Sequence, residues 1–176
     1  MYISNRNIGN NKNYTLRLLN DEYLEEIQNL CNNCSDYYLL DKGSVADSDA
    51  AQKILEALPN GKTYDDQFNL GIFNKSNSLI GLINIIKDYP YSNVWMLGLL
   101  MIDPSERNNG LGKLIHKEIV NIVKEENANK IRIGVLKDNI NALKFWNSIG
   151  YKLEKETEID RGNNIIKKVL VFNYSV

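Results

Sequence analysis

The stretch ERNNGLGKLIHKEI, residues 106–119, guides the interpretation of the whole chain. Within it, Gly110 and Gly112 stand one residue apart, directly before an apolar-periodic segment and shortly after the apolar run 93–103. Because glycine costs about 1 kcal/mol relative to alanine inside a helix, two glycines at a helix start indicate that bare backbone is needed there. The pattern predicts a buried strand, a glycine turn and an amphipathic helix, in that order.

The glycine turn fits neither of two common phosphate-binding motifs. A P-loop needs G-x-x-x-x-G-K-[ST], but Arg107 replaces its first glycine and Leu114 its hydroxyl residue. The dinucleotide fingerprint needs a third glycine where Ile115 stands. The remaining pattern is R-x-x-G-x-G, residues 107–112, between a strand and a helix.

This remaining pattern is suited to binding an anion. The first N–H groups of a helix have no intrahelical partner and lie at the positive end of the helix dipole. Gly110 and Gly112 would remove side chains that keep a diphosphate away from these amides, and Arg107 would add a positive charge. The alternative is a flexible strand–helix loop without a ligand. Because three turn features coincide, we predict a diphosphate site.

The rest of the chain divides into strand-like and helix-like segments. Strands are predicted at 14–20, in two segments around the turn 74–78, and at 93–103, 129–137, 151–159 and 164–175. Helices are predicted at 21–34, 47–62, 111–127 and 138–150, with 36–46 irregular. The fold class is therefore α+β, with one twisted mixed sheet of about seven strands and helices on both faces. Residues 13–176 are predicted to form a single domain, and residues 1–12 a loose N-terminal tail.

Composition and charge argue against several classes of protein. The 176 residues are 43% hydrophobic and 24% charged, an ordinary balance for a globular domain. A net charge of −1 disfavours binding to nucleic acid or to an anionic membrane surface. The chain has no apolar run of the roughly 18 residues that a membrane span needs, and its polar N-terminus does not resemble a secretion signal. We therefore expect a cytoplasmic protein with no nucleic-acid or membrane partner.

The two cysteines, Cys31 and Cys34, are interpreted as structural residues. They lie near the end of a predicted helix, whereas a redox-active C-x-x-C pair is expected just after a strand. The chain has no second cysteine pair to complete a zinc site. The sequence thus predicts neither a disulfide chemistry nor a metal.

Two motifs together resemble the GNAT acyltransferase superfamily. The first is the turn R-x-x-G-x-G, whose counterpart in that family binds the diphosphate of acetyl-CoA. The second resembles the family signature N-x-x-A-x-x-F-Y-x-x-x-G-F, and is formed here by Asn139, Ala142, Phe145, Trp146, Gly150 and Tyr151. The two motifs cover about a third of the chain in the family order, and the order of the predicted elements extends the similarity to nearly all of it.

The resemblance implies a site for acetyl-CoA as cosubstrate, between two splayed central strands. Pantetheine would pair with the main chain of Leu100, Met101 and Ile102. The diphosphate would lie on Arg107, Asn108, Asn109, Gly110, Leu111, Gly112 and Lys113. Asn139, Ala142 and Trp146 would contact the cofactor, although Asn139 taken alone is typical of a helix N-cap. Gly98 suits either a bulge with close backbone approach or packing under a helix.

No catalytic residue is assigned from the sequence. Many relatives have Tyr as the general acid where this chain has Trp146, and an indole is not a usable acid near neutral pH. We therefore interpret Trp146 as packing beside the thioester. The strand before the turn has no titratable residue, and the remaining candidates each have a plain surface or turn interpretation: Asp36, Tyr37, Tyr38, Asp88 and Tyr89. His116, the only histidine, is predicted to lie on a solvated helix position beside the buried stripe.

The resemblance implies an N-acetyltransferase that moves the acetyl group of acetyl-CoA to an amine. Residues 20–70 and the loop 88–93 should contact the acceptor. The many aspartates of residues 20–70 favour a small cationic amine, with a peptide as a further alternative. A rival interpretation is a catalytically weak CoA or acyl-CoA sensor, because the acid and the base are both missing. The oligomeric state stays open, with a homodimer among the alternatives.

Overall fold

The computed structural model of the chain describes residues 6–8, 13–162 and 165–176. The strands are β1 (Arg6–Ile8), β2 (Tyr14–Leu18), β3 (Gln67–Phe73), β4 (Leu79–Ile86), β5 (Val94–Ile102), β6 (Lys130–Leu136), β7 (Lys152–Asp160) and β8 (Ile166–Ser175). The helices are α1 (Leu24–Asn33), α2 (Ser35–Lys42), α3 (Ala50–Glu56), α4 (Leu111–Glu125) and α5 (Ile140–Ser148). The strands form one mixed sheet in the order β1-β2-β3-β4-β5-β6-β8-β7. Among the neighbouring strands that the structure describes, only β5 and β6 run parallel.

Helices cover both faces of the sheet, as predicted. On one face α4 buries the predicted stripe of Leu111, Ile115, Ile119 and Ile122, and α5 packs on the same side through Trp146. On the other face α1 and α3 form a second apolar cluster with the side chains that β3, β4 and β5 direct there. The α+β class is therefore confirmed, with eight described strands in place of the expected seven.

The eighth strand lies within the predicted tail. Arg6–Ile8 pair antiparallel with β2, and Arg6 forms ion pairs with Glu118 and Glu125 of α4. The prediction of a loose tail is therefore wrong for these three residues, because strand pairing and a distant helix hold them. Residues 1–5 and 9–12 of the predicted tail, and residue 164 of the last predicted strand, lie outside the described residues.

A helix occupies part of the segment that was expected to be irregular. The α2 helix is held by tertiary packing, since Tyr38 is buried in the cluster formed with α1 and α3. The following helix, α3, is shorter than the predicted range 47–62 and begins at Ala50, whereas the side chain of Asp47 pairs with Lys42 and Lys53. Local sequence patterns do not show these side-chain contacts.

The prediction that His116 is solvated is wrong. Its side chain is 6% exposed, and its ring meets the rings of Trp146, Tyr151 and Tyr174 at centroid distances of 6.1, 5.4 and 4.9 Å. The buried surface of α4 is wider than its apolar stripe, because α5 and the β7–β8 region cover the helix beside the sheet. Burial lowers the pKa of His116, and its Nε2 atom has no hydrogen-bond partner among the described residues.

The buried histidine predicts a specific acid sensitivity of the fold. An unfolded histidine titrates near pH 6.5, and the pKa of His116 is lower in the folded state. The unfolded state therefore binds more protons as the pH falls through about 6.5, and the free energy of unfolding decreases. His116→Phe, which keeps an aromatic ring, should reduce this loss.

Urea unfolding of both proteins at pH 7.5 and pH 5.5 measures this effect. We expect the wild type to lose more stability on acidification than His116→Phe does. Because His116 is the only histidine, the difference between the two proteins reports on this side chain. An equal loss in both proteins would contradict the prediction.

Candidate functional site

The two central strands separate along their length and open a cleft. Parallel pairing joins Val94–Leu97 of β5 to Lys130–Ile133 of β6 and ends there. Beyond this point β5 continues to pair with β4 as far as Ile102, and β6 with β8 as far as Leu136. The facing edges of β5 and β6 therefore part, as the sequence interpretation predicted.

A bulge at Gly98 lies where the strands part. Asn84 of β4 is opposite Leu99 and Ile85 is opposite Leu97, so Gly98 is the extra residue of β5. A Cβ atom at Gly98 would lie 2.6 Å from Oδ1 of Asn84. The predicted bulge with close approach is thus confirmed, and the close neighbour is a side chain of β4 rather than a helix.

The cleft between the strands has a volume of about 280 Å³ and is lined from both faces of the sheet. From the face that carries α4 and α5 it is lined by Asn139, Ala142 and Trp146. From the opposite face it is lined by Tyr37 of α2, Ile159 of β7, Val169 of β8 and Arg161. Between them lie the edges of β5 and β6 themselves, with Gly98, Leu99, Leu100, Gly134 and Val135. A molecule in the cleft would therefore reach both faces.

The glycine turn follows β5 and carries unpaired main-chain N–H groups. Gly110 is the N-cap residue of α4 and has a φ of +89°, a conformation that favours glycine. The side chain of Asn109 accepts a hydrogen bond from the N–H of Leu111 (3.0 Å). The N–H groups of Gly110 and Gly112 form no hydrogen bond to a described residue. This end of the helix can bind an anion.

Gly112 has a packing role in addition to the one that the sequence suggested. A Cβ atom at this position would lie 3.2 Å from two ring carbons of Phe145 and 3.9 Å from Ile102. The missing side chain therefore allows α4 to pack closely against α5. Of the two glycines, Gly110 leaves open space at the turn, since no described atom lies within 4 Å of its Cβ position.

The guanidinium of Arg107 is bound to the protein. Its Nε donates to the carbonyl of Ile102 (2.8 Å), and its Nη atoms donate to the carboxylate of Asp36 at 2.5 and 3.2 Å. Nη2 also lies 3.5 Å from Sγ of Cys34. Arg107 therefore connects the end of β5 to the start of α2, and these contacts fix its positive charge beside the turn. The same hydrogen bonds hold the pKa of Asp36 below its usual value, so this carboxylate is a weak base.

The remaining predicted cofactor residues divide into two groups. Leu100, Asn139, Ala142 and Trp146 line the cleft, whereas Met101 and Ile102 do not. Met101 packs into the cluster with α1 and α3, because alternate residues of a strand face opposite sides. Asn139 is the N-cap of α5, with its Oδ1 accepting from the N–H of Ala142 (3.0 Å). Asn108, Asn109 and Lys113 are at least partly exposed at the turn.

The candidate catalytic side chains lie at different places in the structure, and of the tyrosines and aspartates considered only Tyr37 lines the cleft. Asp88 and Tyr89 belong to a turn, where Asp88 accepts from the N–H of Asn93 (2.7 Å). Tyr38 is buried and lies outside the cleft, whereas Tyr37 lines it. The surface interpretation is therefore wrong for the two tyrosines. The sequence did not indicate Arg161 as a residue of the site. Arg161 follows β7, and it lies at the cleft because β7 pairs with β8 and β8 pairs with β6.

The two cysteines are structural in the sense predicted. Cys31 and Cys34 are buried and do not form a disulfide. Burial raises the pKa of Cys34 to about 11, so that it is a thiol at neutral pH. The described part of the chain holds no group of three or more His, Cys, Asp or Glu side chains placed to bind a metal ion. Within the same residues, no helix has the length and apolarity to cross a membrane.

Comparison with known proteins decides the family. The model of the Acetyltransferase (GNAT) family matches residues 24–151. The chain belongs to the GNAT acetyltransferase family. The matched region includes β5, the glycine turn, β6 and α5, which together form most of the cleft.

This GNAT chain is similar to solved structures along most of its length. An acetyltransferase from Thermus thermophilus has a TM-score of 0.73 and 16% identity, covering 93% of this chain and 97% of that one. Spermidine N-acetyltransferase from Vibrio cholerae, in complex with CoA and spermine, has a TM-score of 0.70 and 18% identity, covering 93% and 95%. The ribosomal-protein-S18-alanine N-acetyltransferase of Escherichia coli has a TM-score of 0.68 and 9% identity, covering 93% and 94%. At these identities the likeness shows the fold.

One curated relative shares part of the sequence. The uncharacterized protein YxbD of Bacillus subtilis (strain 168) is 26% identical over 91 residues, which cover 52% of this chain and 54% of that protein. The chain thus spans about half the length of the curated relative that it matches. This match does not identify an acceptor.

The contacts of Arg107 predict that it stabilises the fold more than Asp36 does. Asp36→Asn should lower the free energy of unfolding by less than about 1 kcal/mol, because the ion pair is partly exposed. Arg107→Ala also leaves the Ile102 carbonyl without its donor and should cost about 1–3 kcal/mol. Chemical denaturation of the two variants measures the difference. Equal stabilities would show that the Ile102 contact contributes nothing.

Proposed function

We propose that this GNAT chain is an N-acetyltransferase that transfers the acetyl group of acetyl-CoA to an amine. The observation that carries the proposal is the separation of β5 from β6 after Leu97 and Ile133, with the glycine turn following β5. A strand edge without a ladder partner can hydrogen-bond an extended chain of amides, and pantetheine is such a chain. The exposed amides at Gly110 and Gly112 are suited to the diphosphate that follows it.

The proposed cofactor site follows from the position of each element. Pantetheine would lie against Leu99 and Leu100, with Asn139, Ala142 and Trp146 on one side. The diphosphate would lie at the turn 108–113, where Lys113 adds an exposed positive charge. Arg107 supports this turn from behind through its bonds to Ile102 and Asp36.

Catalysis in this site would depend mainly on placement. Holding the thioester and the amine in attack geometry replaces a bimolecular encounter with an intramolecular one. The bulge at Gly98 interrupts the ladder near the point where the cleft begins. Main-chain N–H groups near such a bulge can stabilise the oxygen of a tetrahedral intermediate.

We propose a cationic amine as the acceptor. A second depression, of about 380 Å³, is lined by Asp21 and Glu56 and, among the described residues, by no lysine or arginine. Asn69 also lines it and accepts a hydrogen bond from Asn84 (2.8 Å), the residue that contacts Gly98. Carboxylates beside this polar connection favour a positive acceptor, and the similar enzyme from Vibrio cholerae is a spermidine N-acetyltransferase.

Release of CoA thiol from acetyl-CoA, measured with a panel of amines, tests the proposed function. The panel contains a diamine, spermidine, a neutral amino acid and a peptide with a free N-terminus. We expect acceptor-dependent thiol release, fastest with the polyamine. Binding of CoA without release on any acceptor would favour the sensor. Absence of CoA binding would overturn the proposal.

A pair of glycine variants tests the diphosphate site. Gly110 and Gly61 have similar φ angles of +89° and +81°, with no described atom near either Cβ position. Alanine strains the backbone at both positions by about 1–2 kcal/mol, but only Gly110 belongs to the glycine turn that precedes α4. We expect Gly110→Ala to weaken CoA binding at least about tenfold, or 1.4 kcal/mol, and Gly61→Ala to leave it unchanged. Calorimetric titration with CoA gives both values, and equal affinities would contradict the assignment.

A further inference from the structure

The residues that line the cleft include only two titratable side chains, Tyr37 and Arg161, among those the structure describes. Arg161 pairs with Asp41 of α2, with Nε 2.8 Å from Oδ1. An arginine keeps its proton at any physiological pH, so it cannot act as an acid. Trp146, on the other side of the cleft, has only an indole N–H. Tyr37 is therefore the lining group that can transfer a proton.

Tyr37 is held in the cleft by its neighbours on α2. The preceding residue, Asp36, accepts the hydrogen bonds of Arg107 and joins this end of α2 to the end of β5. The following residue, Tyr38, packs edge-on against the Tyr37 ring at a centroid distance of 5.3 Å. The start of α2 is thus joined to the strand that borders the cleft.

The surroundings of Tyr37 keep its hydroxyl protonated. Burial raises its pKa to about 12. The charged and titratable groups that face it are Asp41 on its own helix, Arg161 after β7, and the Cys31 thiol on α1. Asp41 raises the pKa further and Arg161 lowers it. At neutral pH this phenol therefore carries its proton.

Aminolysis of a thioester needs such a donor. A cationic acceptor first releases one proton to water, because only a neutral amine has the electron pair that attacks. The amine nitrogen then attacks the carbonyl carbon, a C–N bond forms, and the C–S bond breaks with its electron pair going to sulfur. The nitrogen releases a second proton to water, and the departing thiolate needs one. A positioned acid that supplies it contributes about 10²–10⁴ to the rate.

We propose that the hydroxyl of Tyr37 donates the proton to the departing CoA sulfur. The tyrosinate then regains a proton from water, so the net reaction converts acetyl-CoA and a neutral amine into an amide and CoA thiol. The assignment rests on the proposed N-acetyltransferase function and names the acid that the sequence left unassigned.

Two phenylalanine variants of adjacent residues test the assignment. Tyr37→Phe keeps the ring and its packing but removes the hydroxyl, and Tyr38→Phe makes the same change at a buried tyrosine outside the cleft. We expect Tyr37→Phe to lower kcat about 100-fold or more, with the Kd for CoA unchanged. Tyr38→Phe should keep the wild-type kcat.

Replacing Tyr37 with a ring-fluorinated tyrosine separates proton donation from a structural role. Fluorine lowers the pKa of a phenol, so a larger fraction is deprotonated at alkaline pH. An acid at this position predicts that kcat of the fluorinated protein falls at a pH where the wild type stays constant. Parallel pH profiles of the two proteins would overturn the assignment.

The outcomes also distinguish the assignment from the proposed function. If the wild type and Tyr37→Phe turn over with the same kcat, the role assigned to Tyr37 is overturned and the proposed function stands. A lower kcat in Trp146→Phe together with an unchanged kcat in Tyr37→Phe would place the donor at the indole and also overturn the role of Tyr37. Absence of turnover by the wild type on every acceptor overturns the proposed function, and the assignment falls with it.

Discussion

The early end of pairing between β5 and β6 is the constraint on which the rest of the structure depends. After Leu97 and Ile133 each strand keeps only its outer partner, β4 or β8, among the described strands. The facing edges then carry main-chain N–H and C=O groups that need a partner other than each other. Water or a ligand must meet them. The cleft, which is lined from both faces of the sheet, follows from this separation.

Arg107 connects the end of β5 to the helix α2, which packs on the other face of the sheet. Its guanidinium joins the last residue of β5, through the Ile102 carbonyl, to Asp36 at the start of α2. A second link, from Asn33 to Asp103 (2.9 Å), runs parallel to it. These hydrogen bonds join the end of α1 and the start of α2 to the end of the strand. Tyr37, which follows Asp36, lies at the cleft.

Local sequence patterns were sufficient for features that depend on neighbouring residues. The strand, turn and helix around Gly110 were predicted because apolar periodicity and glycine placement act over a few residues. For Gly98 the sequence left two alternatives, a bulge or packing under a helix, and the pairing of β4 with β5 decided for the bulge. The strand at Arg6–Ile8 and the helix α2 were not predicted, because a partner strand, two glutamates of α4 and the cluster around Tyr38 hold them. None of these partners is adjacent in sequence.

The sequence by itself determined the order of the elements from β3 onward, the buried stripe of α4 and the two motifs of the GNAT family, since each depends on spacing along the chain. Only the tertiary structure decided which groups the individual side chains contact. Gly112 contacts Phe145, His116 lies among three aromatic rings, and Arg107 bonds to Asp36. The physical reason is that each partner is supplied by a different element, and only the packing of α2, α5 and β8 around the sheet brings these groups within a few ångströms.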